Sequence, residues 1–145
     1  MPKKQTVLIM DGQGGGVGRR IAERLLTEKL DAEFIVVGTN AVATSNMMKA
    51  GVAIGATGEN AWLYNCAKAD VIAGPIGIIF ANAMHGEISP QMAQAVTESV
   101  AHKLLIPMAN HEHRVHIAGL QDKKLQNYLD DMVFFLPSIF IKEDH

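Results

Sequence analysis

The sequence predicts an α/β three-layer sandwich built on a mainly parallel, doubly wound sheet of five or six strands. Three observations predict it. Short apolar runs rich in β-branched residues recur at 6–10, 33–38, 70–73 and 103–106, the pattern of strands buried on both faces. Segments with apolar residues at helical spacing lie between them. Each run ends in or just before glycine or proline, or in the acid that precedes a glycine turn, so each reads as a strand feeding a turn.

The elements follow in order. Thr6-Val7-Leu8-Ile9-Met10 opens the sheet. After the glycines, Val17, Ile21, Leu25 and Ala22, Leu26, Leu30 recur at helical spacing, leaving Arg19, Arg20, Glu23, Arg24 and Glu28 on the outer face. Residues 33–38 repeat the strand signal, so the opening segment is a β-α-β unit with a right-handed crossover expected. Thr44 or Ser45 can cap a short helix ending at Gly51, and a further helix over 59–68 can begin after Thr57-Gly58. Val52-Ala53-Ile54 is a strand candidate between them. Ser89-Pro90 starts a helix between the strands at 70–73 and 103–106, with Ser at the cap and Pro in the first turn. Residues 114–118 read as a last strand and 123–135 as a last helix. No linker, low-complexity stretch or internal repeat interrupts the chain, so one domain over 1–145 is expected. Its apolar tail at 134–145, which includes Phe134-Phe135-Leu136-Pro137-Ser138-Ile139-Phe140-Ile141, must dock on the domain or pair with another subunit.

Composition narrows the partners. The chain has 145 residues, 13 Lys and Arg against 15 Asp and Glu, and a formal charge of -2. That balance supplies no electrostatic footprint for nucleic acid or an anionic membrane. The length suits one module, not a cofactor domain plus a substrate domain. One cysteine, Cys66, excludes an internal disulfide framework and points to a reducing, cytoplasmic compartment. The basic start at Met1 to Lys4 is followed by an apolar run too short for a signal core, and no stretch approaches the ~20 apolar residues of a membrane span.

The residues that carry chemistry gather at the ends of predicted strands: 11–18, Gly38-Thr39-Asn40, Gly74-Pro75-Ile76-Gly77 and Asn110-His111. In an open parallel sheet that edge is where ligands bind. Asp11-Gly12-Gln13-Gly14-Gly15-Gly16-Val17-Gly18 is the strongest signal, because glycines let backbone N–H groups approach a phosphate while the following helix contributes its dipole. A tight turn without ligand is the bland alternative. The G-x-G-x-x-G fingerprint fails, since the third glycine would fall on Val17 or Arg19. A P-loop reading of Gly15 to Arg20 puts Arg19 in place of the phosphate Lys and Arg20 in place of the magnesium-binding hydroxyl. Gly12-x-x-x-Gly16-Val17-Gly18 is similar to the T-G-x-x-x-G-[IV]-G turn of the short-chain dehydrogenases, with Asp11 in place of their Thr. Gly38-Thr39-Asn40 offers neither the acidic residue that reads an NAD ribose nor an Arg for the 2′-phosphate of NADP.

Other constellations compete. Tyr64 and Lys68 have the Y-x-x-x-K spacing of the short-chain dehydrogenase pair but come too early in the chain, so the spacing reads as coincidence. Gly55-Ala56-Thr57-Gly58-Glu59-Asn60 is a second small-residue loop, where Thr57 and Asn60 could donate to an anion or ribose. His111 and His113 could bind zinc or nickel, although no clear third ligand accompanies them and a solvated loop is the simpler reading. His85 and Glu87 could form an acid–base pair.

With these residues in view, the chain resembles a small bacterial family recorded only as a domain of unknown function. Asp11-Gly12-Gln13-Gly14-Gly15-Gly16, Gly38-Thr39-Asn40, Ala43-Thr44-Ser45, 55–60 and 69–79 carry the likeness. The resemblance implies a Rossmann-like fold and carries over no catalytic residues, so function rests on the residues themselves: the missing acidic ribose ligand, the missing P-loop Lys and the absent substrate domain. The reading is therefore a nucleotide-binding module, non-catalytic or sensing, for NAD(P), another nucleotide or a phosphorylated small molecule. Asp11, Gly12, Gln13, Gly14, Gly15, Gly16, Val17 and Gly18 would form the phosphate turn, Gly14 to Gly18 contacting phosphate and Thr39 or Asn40 the ribose, with Gly38, Thr57, Gly58, Asn60, Gly74, Pro75 and Gly77 around them. Alternatives are a small NAD(P)-linked oxidoreductase or a transferase whose site is shared between subunits, using His85, Glu87 or His111. A metal-binding protein using His111 and His113, with His116 as a further ligand, is the third reading. A homodimer or higher homo-oligomer is expected.

Overall fold

A computed structural model of the chain describes residues 4–108 and 115–140. Five strands, β1 (Gln5–Asp11), β2 (Ala32–Gly38), β3 (Ile54–Thr57), β4 (Val71–Pro75) and β5 (His102–Ile106), form one sheet in the order β3-β2-β1-β4-β5. All four pairings are parallel. The chain winds outward from β1 to β3, then returns to the other side of β1 to lay down β4 and β5. That reversal leaves a crevice outside the carboxyl ends of β1 and β4, the switch point at which open α/β sheets bind ligands.

Helices cover both faces, as the continuous apolar runs require. On β1, Val7 and Ile9 face a cluster completed by α1 (Gly16–Thr27), α2 (Ala41–Met48) and α5 (Leu125–Phe134). Leu8 and Met10 face the opposite cluster, with α3 (Glu59–Cys66) and α4 (Pro90–Glu98). All four are buried, each contributing about 1.5–3 kcal/mol of apolar burial. Trp62 on α3 is fully buried and donates its indole N–H to the Met92 carbonyl on α4 at 3.1 Å, tying the two helices of that layer together. The expected three-layer α/β arrangement is observed.

Several local expectations are corrected. There are five strands among the described residues; Val115 to Ala118 form none, and Arg114 lies outside them. Pro107 ends β5, α5 packs against that strand, and Val115 and Ile117 stay 38% and 46% exposed, so their alternation has no sheet to bury it. The third strand begins at Ile54 and runs through the segment expected as a loop, because Gly55, Ala56 and Thr57 pair with Val36, Val37 and Gly38 despite the poor strand propensity of Gly55 and Ala56. Asn40, not Thr44 or Ser45, caps α2 through Ala43 N–H, because the Thr44 hydroxyl is buried in bonds to Gly38 N–H and Thr57. α1 stops at Thr27, before Leu30, where Lys29 takes a left-handed φ of 53°. α2 and α3 stop at Met48 and Cys66, short of Gly51 and Lys68, and Leu125–Phe134 is followed by a separate turn, α6 (Leu136–Ile139). Ser89 caps α4 with Pro90 in the first turn, as expected.

The apolar tail divides. Leu136 is buried and Ile139 and Phe140 pack on the α1-side core, whereas Phe134 and Phe135 are 86% and 57% exposed. Ile141 and beyond lie outside the described residues. No described helix is long and apolar enough to cross a membrane.

Candidate functional site

The crevice is built from three turns that leave the sheet at its carboxyl edge. The first joins β1 to α1. Gly15 holds φ 72° and sends its N–H back to the Gly12 carbonyl at 2.9 Å, the tight reversal that lets α1 begin at Gly16. A side chain at Gly15 would also strike the Ala43 carbonyl, and one at Gly18 would strike Met47 and Asp11. These two glycines serve the fold.

Gly14 and Gly16 are different. Neither takes a left-handed φ, both are exposed, and a Cβ at either would meet nothing within 4 Å. Their N–H groups, and that of Val17, make no hydrogen bond among the described residues, as expected for an open helix N-terminus. Beside them Asn46 donates to the Gly14 carbonyl at 3.0 Å and accepts from Arg19 at 2.9 Å, which brings a guanidinium to the flank of the turn.

Asp11, the last residue of β1, is buried under the turn and accepts from Gly12 N–H and Gly18 N–H, both at 2.8 Å. Burial pushes its carboxyl up to about 6, against the pull of those two amides, and the charge of Glu87 pushes in the same direction.

The second turn leaves β2. Thr39 N–H donates to the Asp11 carbonyl at 3.1 Å, which docks the tip of β2 against that of β1. Gly38 accepts from Gly58 N–H at 3.0 Å, and Thr44 bridges Gly38, Ala56 and Thr57, so Thr57 and Gly58 brace this tip from β3. Asn60 is exposed in the first turn of α3 and makes no hydrogen bond to the glycine turn.

The third turn follows β4. Gly74 sits against the Met10 carbonyl where a Cβ would collide, and Gly77 is buried in the 3-10 turn Ile76–Ile79, so these and Pro75 shape the exit from β4. Beyond it the chain folds back over the crevice. There Glu87, expected from the sequence only as an acid–base partner of His85, takes a different place: its Oε1 atom accepts from Gln13 N–H at 2.8 Å, Thr39 Oγ1 at 2.5 Å and Asn40 Nδ2 at 2.9 Å. Asn40 Nδ2 also reaches the Gln13 carbonyl at 2.9 Å. Burial raises the Glu87 carboxyl, but Thr39, the Gln13 amide, Asn40 and the charge of His85 together hold it below its usual value. A glutamate 74 residues from Gln13 carries no local signal of this contact.

The structure thus brings together Asp11, Gly12, Gln13, Gly14, Gly15, Gly16, Val17, Gly18, Gly38, Thr39 and Asn40, with Thr57 and Gly58 behind them. Thr39 and Asn40, expected at a ribose, are engaged by Glu87. Tyr64 on α3 and Lys68 just beyond its end pair with each other at the surface and make no hydrogen bond to the crevice. His111 and His113 lie outside the described residues, among which no group of three or more His, Cys, Asp or Glu could hold a metal. A concavity of about 690 Å³ runs along the outer edge of β5, lined by Phe134, Phe135 and Ile139 among others, away from the three turns. Its wall mixes apolar side chains with Tyr128 and the Lys123–Asp131 ion pair, whose charges already satisfy each other, and it holds none of the strand-end residues.

Residues 6–140 match the model of a family described as Domain of unknown function (DUF3842). No curated protein and no solved structure matches the chain.

Proposed function

We propose, from the premise that this chain belongs to the DUF3842 family, whose description assigns no activity, that it is a binding module for a nucleotide or other phosphorylated small molecule. The phosphate would rest on the exposed N–H groups of Gly14, Gly16 and Val17 at the start of α1. The observation that carries this reading is the contrast within the turn. Gly15 and Gly18 are required by backbone conformation and packing, whereas at Gly14 and Gly16 nothing in the fold asks for glycine. Close approach of a ligand to the backbone explains both, and the helix dipole favours an anion there. Arg19, held by Asn46, adds a cation at the flank.

Binding rather than turnover fits the side chains present. Thr39, Asn40 and Glu87 fix the glycine turn to the tip of β2, and the Asp11 carboxylate holds the two ends of its own turn, so these side chains serve the shape of the crevice.

The test is a thermal-shift series with NAD, NADH, NADP, NADPH, ATP, GTP, coenzyme A, S-adenosylmethionine and inorganic pyrophosphate. At about 100 times its Kd a ligand adds ~2.7 kcal/mol, moving the midpoint by several degrees. A shift that vanishes in Gly14→Val, with the unliganded melting point kept, supports the reading. No shift with any of the nine compounds would sink it.

A further inference from the structure

The geometry points to Glu87 as the group that reads the sugar, and so to a nucleotide with free ribose hydroxyls as the ligand. This rests on the phosphate-binding reading above and extends it. In doubly wound sheets the ribose lies beyond the tip of β2, where a carboxylate at the end of that strand receives its hydroxyls. Here that tip reads Gly38-Thr39-Asn40 and has no acid of its own. The fold delivers one from the other half of the sheet: Glu87 Oε1 sits 2.5 Å from Thr39 Oγ1 and 2.9 Å from Asn40 Nδ2, against the same tip.

Three further features fit the role. The carboxylate is asymmetric in its use, with Oε1 taking all three protein donors while Oε2 makes no hydrogen bond among the described residues. One oxygen anchors the group and the other is left to accept. The segment that carries it is pre-organised: Ala83 and Ile88 are fully buried, Ile88 N–H returns to the Ala83 carbonyl at 3.2 Å, and Glu87 N–H to the Met84 carbonyl at 3.1 Å. Gly12 lies directly beneath, where a Cβ would come 2.6 Å from Met84 Sδ and 3.1 Å from Glu87 Oε1, so the glycine turn and this segment are shaped to each other.

The chemistry then selects the ligand. An ionised carboxylate only accepts hydrogen bonds. It receives a hydroxyl and repels a phosphate at the same place, since like charges at close range in a half-buried crevice are unfavourable. A 2′-phosphorylated ribose is therefore disfavoured, and a plain ribose is accepted. Because Glu87 already holds the Gln13 amide, the ligand's phosphate is left with Gly14, Gly16 and Val17, one step further along the turn.

Calorimetric titration of the full chain and of Glu87→Gln with NAD, NADP and inorganic pyrophosphate tests this. Glutamine keeps an acceptor for the three protein donors while removing the charge. The expected result is wild-type affinity for NAD at least about tenfold above that for NADP. Glu87→Gln should lose about tenfold in NAD affinity and most of the discrimination, with pyrophosphate bound no more weakly than before. Equal wild-type affinity for NAD and NADP, or NAD affinity unchanged in Glu87→Gln, overturns the assignment and leaves Glu87 as a clamp between turns. Pyrophosphate binding without either dinucleotide also overturns it, while the phosphate site survives. No binding of any of the three overturns the assignment, and the phosphate-binding reading falls with it if the other nucleotides of the thermal-shift series also fail to bind. Should the variant fail to fold, ADP against 2′-deoxy-ADP on the wild-type chain decides: a loss of about tenfold supports the role, and equal affinity ends it.

Discussion

The carboxylate of Asp11 accepts the N–H of Gly18 at 2.8 Å, reaching from the last residue of β1 across the glycine turn into the first turn of α1. It satisfies one of the helix's four unpaired amides from below, leaving the amides on the outer side of the turn for solvent or ligand. The cost is a buried acid, with its carboxyl raised to about 6 from an ordinary 3.8.

That shift has a definite sign in stability. The folded state holds the Asp11 proton more tightly than the unfolded chain, so this group favours folding below about pH 4. The contribution, of order 2–3 kcal/mol, declines as pH rises from about 4 to about 6 and is lost above that. In Asp11→Asn this part of the pH dependence should disappear. Urea titrations from pH 4 to 7 measure it, and an identical slope in the two proteins would contradict the assignment.

Gly14→Ala and Gly16→Ala should fold at least as well as the wild type. The added methyl meets nothing within 4 Å at either site, and restricting the unfolded chain stabilises by about 0.4–1 kcal/mol where the native conformation tolerates alanine. Loss of nucleotide-induced thermal shift in proteins of equal or greater stability separates a binding role from a folding role. A drop of several degrees in the unliganded melting point would mean these glycines are structural.

Gly15→Ala should behave oppositely. It forces a side chain into φ 72° and into the Ala43 carbonyl 2.6 Å away, for an expected loss of about 2–3 kcal/mol, read as a lower urea midpoint.

Asn40→Ala removes the cap on Ala43 N–H together with the donors to the Gln13 carbonyl and Glu87. Cap loss costs about 1 kcal/mol, and the other bonds about 0.5–1.5 kcal/mol each. A total of about 2–4 kcal/mol in denaturant titration is expected, whereas a loss of only about 1 kcal/mol would show that the contacts between turns contribute little.

Much of this was legible in the residues. The strand at Val7 to Met10, the glycines after it and the helix spacing of Ile21, Ala22 and Leu25 are local patterns, and local patterns specify a β-α unit. Ser89-Pro90 announced α4 for the same reason. Gly55-Ala56-Thr57 looked like a loop because its strand character comes from the ladder offered by Val36, Val37 and Gly38, not from its own propensity. Val115 and Ile117 show the converse, alternation with no edge to receive it.

The sequence by itself determined that a parallel sheet would present a glycine turn at its carboxyl edge, because period and turn chemistry act within a few residues. Only the tertiary structure decided which glycines are structural, that Asp11 would be buried beneath them, and that Glu87 would close the crevice. Those depend on which distant segments share the reversal between β1 and β4. The contact between Gln13 and Glu87 spans 74 residues, and such a pairing exists only once the sheet order has been set by burial on both faces.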